Sequence, residues 1–179
     1  MRSIKTEGIV IKRVNFGEAD RLLTIFTKTL GKVQIKAAGV RRINSRRAGH
    51  IELLNQCKFG LYKGRGMFVL TEVESIRNFE EIKEDLTKVG FAYHICELVD
   101  GLCAEEQENI EVYNLLKETL GRLDGNEDLV PVIHEFEIEL LTRLGFYKAP
   151  VPEDFDTSSF IEQILERKLK SKRILKRFT

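Results

Sequence analysis

Nowhere in these 179 residues does an apolar run approach the roughly 20 needed to cross a bilayer. The opening MRSIKTEGIVIKRV has no long apolar block ahead of a small-residue cleavage site, so it does not read as a signal peptide. A cytoplasmic protein is the expectation. Cysteine is scarce and oddly placed: Cys57, Cys96 and Cys103 lack the spacing of a disulfide framework or of a zinc site. Cys96 and Cys103, a heptad apart, suit core filling better than ligation.

Catalytic motifs are missing too. There is no Walker loop, no GxSxG elbow and no HExxH pair. Gly64-Arg65-Gly66 begins a GxGxxG but lacks its last glycine and joins two strands. The histidines His50, His94 and His134 are scattered, and His134-Glu135 has no second histidine a turn later. The carboxylates of the middle segment fall at helical surface spacing, which means solvation more often than acid–base work. No enzyme and no cofactor is expected.

Net charge is the last absence, at +1. Its distribution is uneven. Residues 1–80 hold 16 Lys and Arg against 7 Asp and Glu, residues 81–155 hold 6 against 18, and residues 156–179 hold 7 against 3. A basic head, an acidic middle and a basic tail point to a polyanionic partner.

The change of sign coincides with a change of pattern. Ile4–Val14, Leu22–Thr27, Lys32–Ala37, Ile51–Tyr62 and Met67–Ile76 read as five short strands separated by glycine-bearing turns, which suggests a small barrel or sandwich. From Glu80 the apolar spacing turns helical. Ile82, Leu86, Val89, Tyr93, Cys96 and Cys103 predict one long helix. Asn109 caps a second, and Leu129–Leu144 forms a third with Pro131 in its first turn and Gly145 at its end. Lys148–Asp156, with Pro150 and Pro152, reads as a linker. Ser159 and Glu162 resemble a capping box for a fourth helix running to about Arg177. The expected class is α+β: a β domain over 1–79, then an α-helical domain over 80–179.

Gly39–Gly49, GVRRINSRRAG, is the sharpest local signal. Arg41, Arg42, Arg46 and Arg47 fall within seven residues with no acid among them. Guanidinium groups on a loop can track a phosphate chain and release its counterions, and can stack on bases. Lys12, Arg13, Arg21, Lys32, Lys36, Lys63 and Arg65 lie on or beside neighbouring strands and extend the patch. Phe16, Tyr62 and Phe68 are candidate stacking rings, although aromatics on short strands usually fill cores. The tail 166–177 reads as a basic amphipathic helix, with Ile161, Ile164, Leu165, Leu169 and Leu175 docking inward. Its cationic face suits nucleic acid, an acidic peptide, a membrane surface or plain solvent.

These residues resemble the RecO family of DNA repair proteins. Glu7–Arg13 and Phe16–Thr27 are similar to the family's opening, and Gly31-Lys32, Ala38–Arg42, Ser45-Arg46 and Gly49 to its next block. Leu61–Gly66, Glu139–Leu141 and Leu144–Phe146 continue the resemblance, and Lys170–Arg173 is similar to the family's carboxy-terminal end. The resemblance implies an amino-terminal OB-fold and an α-helical domain. It also implies binding of single- and double-stranded DNA, annealing of complementary strands, and engagement of the acidic tail of single-strand-binding protein. With RecR, such a protein loads RecA, which places it in the cytoplasm at the nucleoid. The DNA-contact candidates are then Lys12, Arg13, Arg21, Lys32, Lys36, Arg41, Arg42, Arg46, Arg47, Lys63 and Arg65. Lys168, Lys172 and Arg173 are candidates for the acidic tail peptide. One departure stands out: many relatives carry a four-cysteine zinc site after the third helix, and this chain has no CxxC, so no structural zinc is expected. Two alternatives stay open, an OB-fold binder of single-stranded RNA or DNA without annealing, and a protein-interaction adaptor.

Overall fold

The computed structural model describes residues 3–148 and 150–177. It divides into two compact units, one of Met1–Asn78 with Ala104–Tyr113, the other of Phe79–Cys103 with Asn114–Thr179.

The first unit is a closed five-stranded barrel. Its strands are β1 (Ser3–Phe16), β2 (Asp20–Thr27), β3 (Gly31–Ala37), β4 (Gln56–Lys63) and β5 (Phe68–Arg77). Around the barrel they run β1-β2-β3-β5-β4, the order of an OB-fold, and β3 meets β5 in parallel at Ile35–Phe68 and Lys36–Val69. β1 serves two neighbours. Its first half pairs with β4, its second with β2, and a register shift between Val10 and Lys12 supplies the bend. Where β1 leaves β4, Val10 is bonded instead by Leu54 N–H and Asn55 C=O, at 2.8 and 3.1 Å. Alternation along the strands sends Val10, Leu23, Ile25, Val33, Ile35, Phe59, Leu61, Phe68 and Leu70 into one core.

Two sequence expectations change here. Ile51–Asn55 is not strand. It is a turning segment with Leu54 at φ 74, and Ile51 and Leu54 are buried. The apolar residues that imitated a strand therefore fill the core from a loop. Residues 104–113, expected to be helical-domain sequence, belong to the barrel unit. Glu105 bridges to Lys32, Glu106 N–H donates to Lys32 C=O at 2.8 Å, and Gln56 donates to the Tyr113 hydroxyl at 3.3 Å.

The second unit is helical: α1 (Glu80–Glu84), α2 (Leu86–Leu102), most of α3 (Ile110–Asp124), α4 (Leu129–Arg143), α5 (Thr157–Leu165) and α6 (Lys172–Leu175). The predicted long helix is broken at Asp85, whose extended backbone and carboxylate cap α2 through Thr87 N–H and Lys88 N–H. The predicted fourth helix is likewise broken. Asp156, not Ser159, caps α5, accepting from Ser159 N–H at 3.0 Å. Glu166 then takes a left-handed conformation, φ 54, and ends it. Glu162, the expected capping-box acid, instead accepts Leu169 N–H at 3.0 Å and draws the following loop inward. The basic tail is therefore a clamped loop and one short helical turn rather than an amphipathic helix.

Candidate nucleic-acid interface

The arginine-rich segment leaves β3 in two consecutive turns. In the first, Arg42 N–H donates to Gly39 C=O at 3.2 Å; in the second, Ser45 N–H donates to Arg42 C=O at 3.0 Å. Gly39 sits at φ 68, a conformation glycine takes without penalty, and its N–H donates to Asp20 Oδ1 at 2.8 Å. Asp20 also pairs with Lys36 at 3.1 Å. The Gly39 N–H foremost, then Lys36, holds the Asp20 carboxyl below its ordinary pKa.

The four arginines divide their tasks. Arg41 is tied to the β1–β2 turn, its N–H donating to Ala19 C=O and its guanidinium to Gly17 C=O, both at 2.9 Å. Arg47 is tied to the barrel, donating to Ala38 C=O at 2.7 Å and to Leu70 C=O at 3.3 Å. Arg41, though bonded, is exposed like the last two, Arg42 and Arg46. With Asp20, Asn44, Ser45 and Arg47 those two line a concavity of about 420 Å³. Arg41 and Arg47 thus set the loop's position, and Arg42, Arg46 and Arg47 bring their charge to the concavity.

The neighbouring candidates are not equivalent either. Arg13 and Arg21 converge on Glu52, Arg13 in a close pair and Arg21 at 3.7 Å, and both side chains are largely covered. They secure the 51–55 segment to the barrel, with charge partly compensated. Lys63 pairs with Glu106 at 2.9 Å, while Lys12 and Arg65 are exposed. Lys32 departs from the group. It is buried, 7% exposed, beside the 104–108 segment, and a side chain so covered has no face to present to a phosphate. Among the rings, Phe68 is core, Tyr62 is half-buried and Phe16 is exposed. Lys36 Nζ lies 5.5 Å from the Phe16 ring centroid. Strand register sets Val14, Leu22, Lys36 and Val69 side by side across β1, β2, β3 and β5. Val14 is also half-exposed, so this face mixes apolar surface with cations.

Sequence reasoning missed the acids. Asp20 and Glu52 organise the basic residues around them, and only the fold brings them there. In the helical unit, Lys168 and Lys172 both lie 3.4 Å from Glu162, and Arg173 is exposed. Among the described residues no three His, Cys, Asp or Glu side chains converge to hold a metal ion. No helix among them is long and apolar enough to cross a membrane.

Comparison with known proteins fits this geometry. A family model described as Recombination protein O N terminal matches residues 1–79, and one described as Recombination protein O C terminal matches 83–148. This chain belongs to the RecO family. Its similar relatives include the DNA repair protein RecO of Roseiflexus sp. (strain RS-1), 39% identical over 145 residues, which are 81% of this chain and 51% of that protein. The DNA repair proteins RecO of Acetivibrio thermocellus and Symbiobacterium thermophilum are each 35% identical over 147 residues, 82% of this chain and 59% and 58% of theirs. The chain thus spans a little over half the length of these RecO relatives. The matched regions contain the arginine loop and the whole barrel. Lys168, Lys172 and Arg173 lie outside both.

Proposed function

We propose that this chain acts in DNA repair and recombination as a non-enzymatic mediator that binds single- and double-stranded DNA through its barrel and promotes annealing of complementary strands. The observation that carries the reading is the arginine loop: two guanidinium groups hold it to an OB-fold barrel while Arg42 and Arg46 stay exposed beside an open concavity. Cations along one strand neutralise phosphates and release counterions. The exposed Phe16 ring adds a stacking surface that every base can use. Annealing follows when screened strands meet with their base edges unoccupied. Lys12, Lys36, Arg42, Arg46, Lys63 and Arg65 are the contacts in this reading, with Arg41, Arg47, Arg13 and Arg21 placing them. Lys32 is not among them.

RecR, the tail of single-strand-binding protein and, indirectly, RecA are the partners that go with this role, at the nucleoid. Lys168, Lys172 and Arg173 would meet the acidic tail peptide. The deciding experiment is fluorescence anisotropy on single-stranded DNA across a salt series, with annealing followed on the same samples. A handful of phosphate contacts, at ~0.7 each for single strands, gives a log–log salt slope of about −3 to −4. Such a slope with faster annealing supports the proposal. Binding without annealing, equal on matched RNA, would leave an OB-fold strand binder. No binding at low salt would overturn the nucleic-acid reading and favour an adaptor.

A further inference from the structure

The turn from Arg42 to Ser45 displays an apolar side chain for which the fold has no use. Ile43 is fully exposed at 108%, the highest value for a large hydrophobic residue among the described residues, ahead of Leu86 at 73%. A lone exposed isoleucine is unremarkable on a protein surface, but this one is presented by its backbone. Ser45 N–H bonds to Arg42 C=O, which makes Ile43 and Asn44 the central residues of a β-turn. Behind that turn the loop is fixed. Val40 is buried in the barrel core, Arg41 holds the β1–β2 turn, and Arg47 holds Ala38 and Leu70. Ile43 therefore stands on an anchored loop, with the exposed Arg42 before it and the exposed Arg46 shortly after.

We propose that Ile43 is a wedge that enters the base stack of a nucleic-acid duplex beside its end, while Arg42 and Arg46 hold the flanking phosphates. This rests on the nucleic-acid reading above and adds a contact to the bases themselves. A β-branched side chain is stiff at χ1, so it can press between bases with little loss of rotamer freedom. Apolar wedges of this kind partly unstack a base step, and neighbouring arginines offset the cost through backbone contacts. At a duplex end the step being opened has one neighbour fewer. Annealing and strand opening both pass through that step. A lipid surface is the poorer partner, because a single aliphatic side chain falls far short of the apolar face that holds a protein at a bilayer.

The test uses the full chain with a hairpin carrying a single-stranded overhang and 2-aminopurine at the base step next to the junction. Binding is read by anisotropy and unstacking by 2-aminopurine fluorescence. The expected result is a fluorescence rise with the parental protein, loss of the rise with Ile43→Asn, and its recovery with Ile43→Leu. Ile43→Asn should leave the salt slope and the melting temperature unchanged, because the side chain touches only solvent. Binding without a rise, or an equal rise with Ile43→Asn, overturns the wedge and leaves nucleic-acid binding standing. No binding of the hairpin at low salt overturns both. Ile43-dependent flotation with phosphatidylglycerol vesicles, without a 2-aminopurine change, would assign the residue to membranes and overturn the proposal.

Discussion

The backbone N–H of Gly39 donates to Oδ1 of Asp20 at 2.8 Å, so a carboxylate at the start of β2 fixes the first turn of the arginine loop. The same bond, helped by Lys36, holds the Asp20 carboxyl below the ordinary aspartate pKa. A carboxyl group with a lowered folded-state pKa stabilises the fold above its unfolded pKa, and loses that contribution as pH falls through the folded value. The anchor is therefore complete at neutral pH and weakens only in acid. Asp20→Ala should speed exchange of the Gly39 amide and speed tryptic cleavage within residues 41–47. Unchanged cleavage would mean that Arg41 and Arg47 hold the loop without it.

Arg46 and Arg47 are adjacent, yet their substitutions should fail differently. Arg47 donates to two backbone carbonyls, so Arg47→Ala should lower stability by about 1–2 kcal/mol. Arg42→Ala with Arg46→Ala should leave stability nearly unchanged. It should reduce the salt slope for single-stranded DNA by about 1.4, or ~0.7 for each lost phosphate contact. Urea unfolding and a salt titration on the same three proteins separate these outcomes. Equal stability losses in both would remove the division between Arg47 and the Arg42–Arg46 pair.

Local pattern made the barrel legible. Alternation along Lys32–Ala37 and the glycine-bearing turns located each strand to within a few residues, except where Ile51–Asn55 imitated a strand from a loop that fills the core. The arginine loop was visible as composition, but which arginines anchor it was not. That depends on carbonyls of Gly17, Ala19, Ala38 and Leu70, and a backbone carbonyl leaves no mark in side-chain sequence. The breaks at Asp85 and Glu166 were missed because apolar spacing continues across both. Asp85 is a strong cap residue, whereas Glu166 at φ 54 is held by clamping of the residues after it.

Gly31 shows how tightly residues 104–108 are built into the barrel unit. A Cβ added there would lie 1.8 Å from the carbonyl oxygen of Gln107, and the residue sits at φ 65. Gly31→Ala should therefore cost more than the roughly 1–2 kcal/mol of a left-handed alanine alone, since the 104–108 backbone must also move. Chemical denaturation gives the magnitude. Exchange at the Glu106 amide, which donates to Lys32 C=O at 2.8 Å, shows whether that segment has detached. A small cost with Glu106 still protected would show that the segment shifts without detaching.

Glu97 clamps the tail. Its carboxylate accepts Lys170 N–H at 2.9 Å, Ser171 N–H at 2.8 Å and the Arg167 guanidinium at 2.7 Å. Burial alone would raise its pKa, but the bonds from Ser171, Arg167 and Lys170 outweigh burial and bring it from 4.5 down to about 2. Because the folded value is depressed, the clamp's contribution is whole above 4.5 and fades as pH falls toward about 2. Glu97→Gln keeps the shape and removes the charge. Its melting temperature should lie below the parental one at neutral pH, and the gap should close between about 4.5 and 2. A gap that stayed constant through that window would mean that the shape of the side chain, rather than its charge, holds residues 167–171 in place.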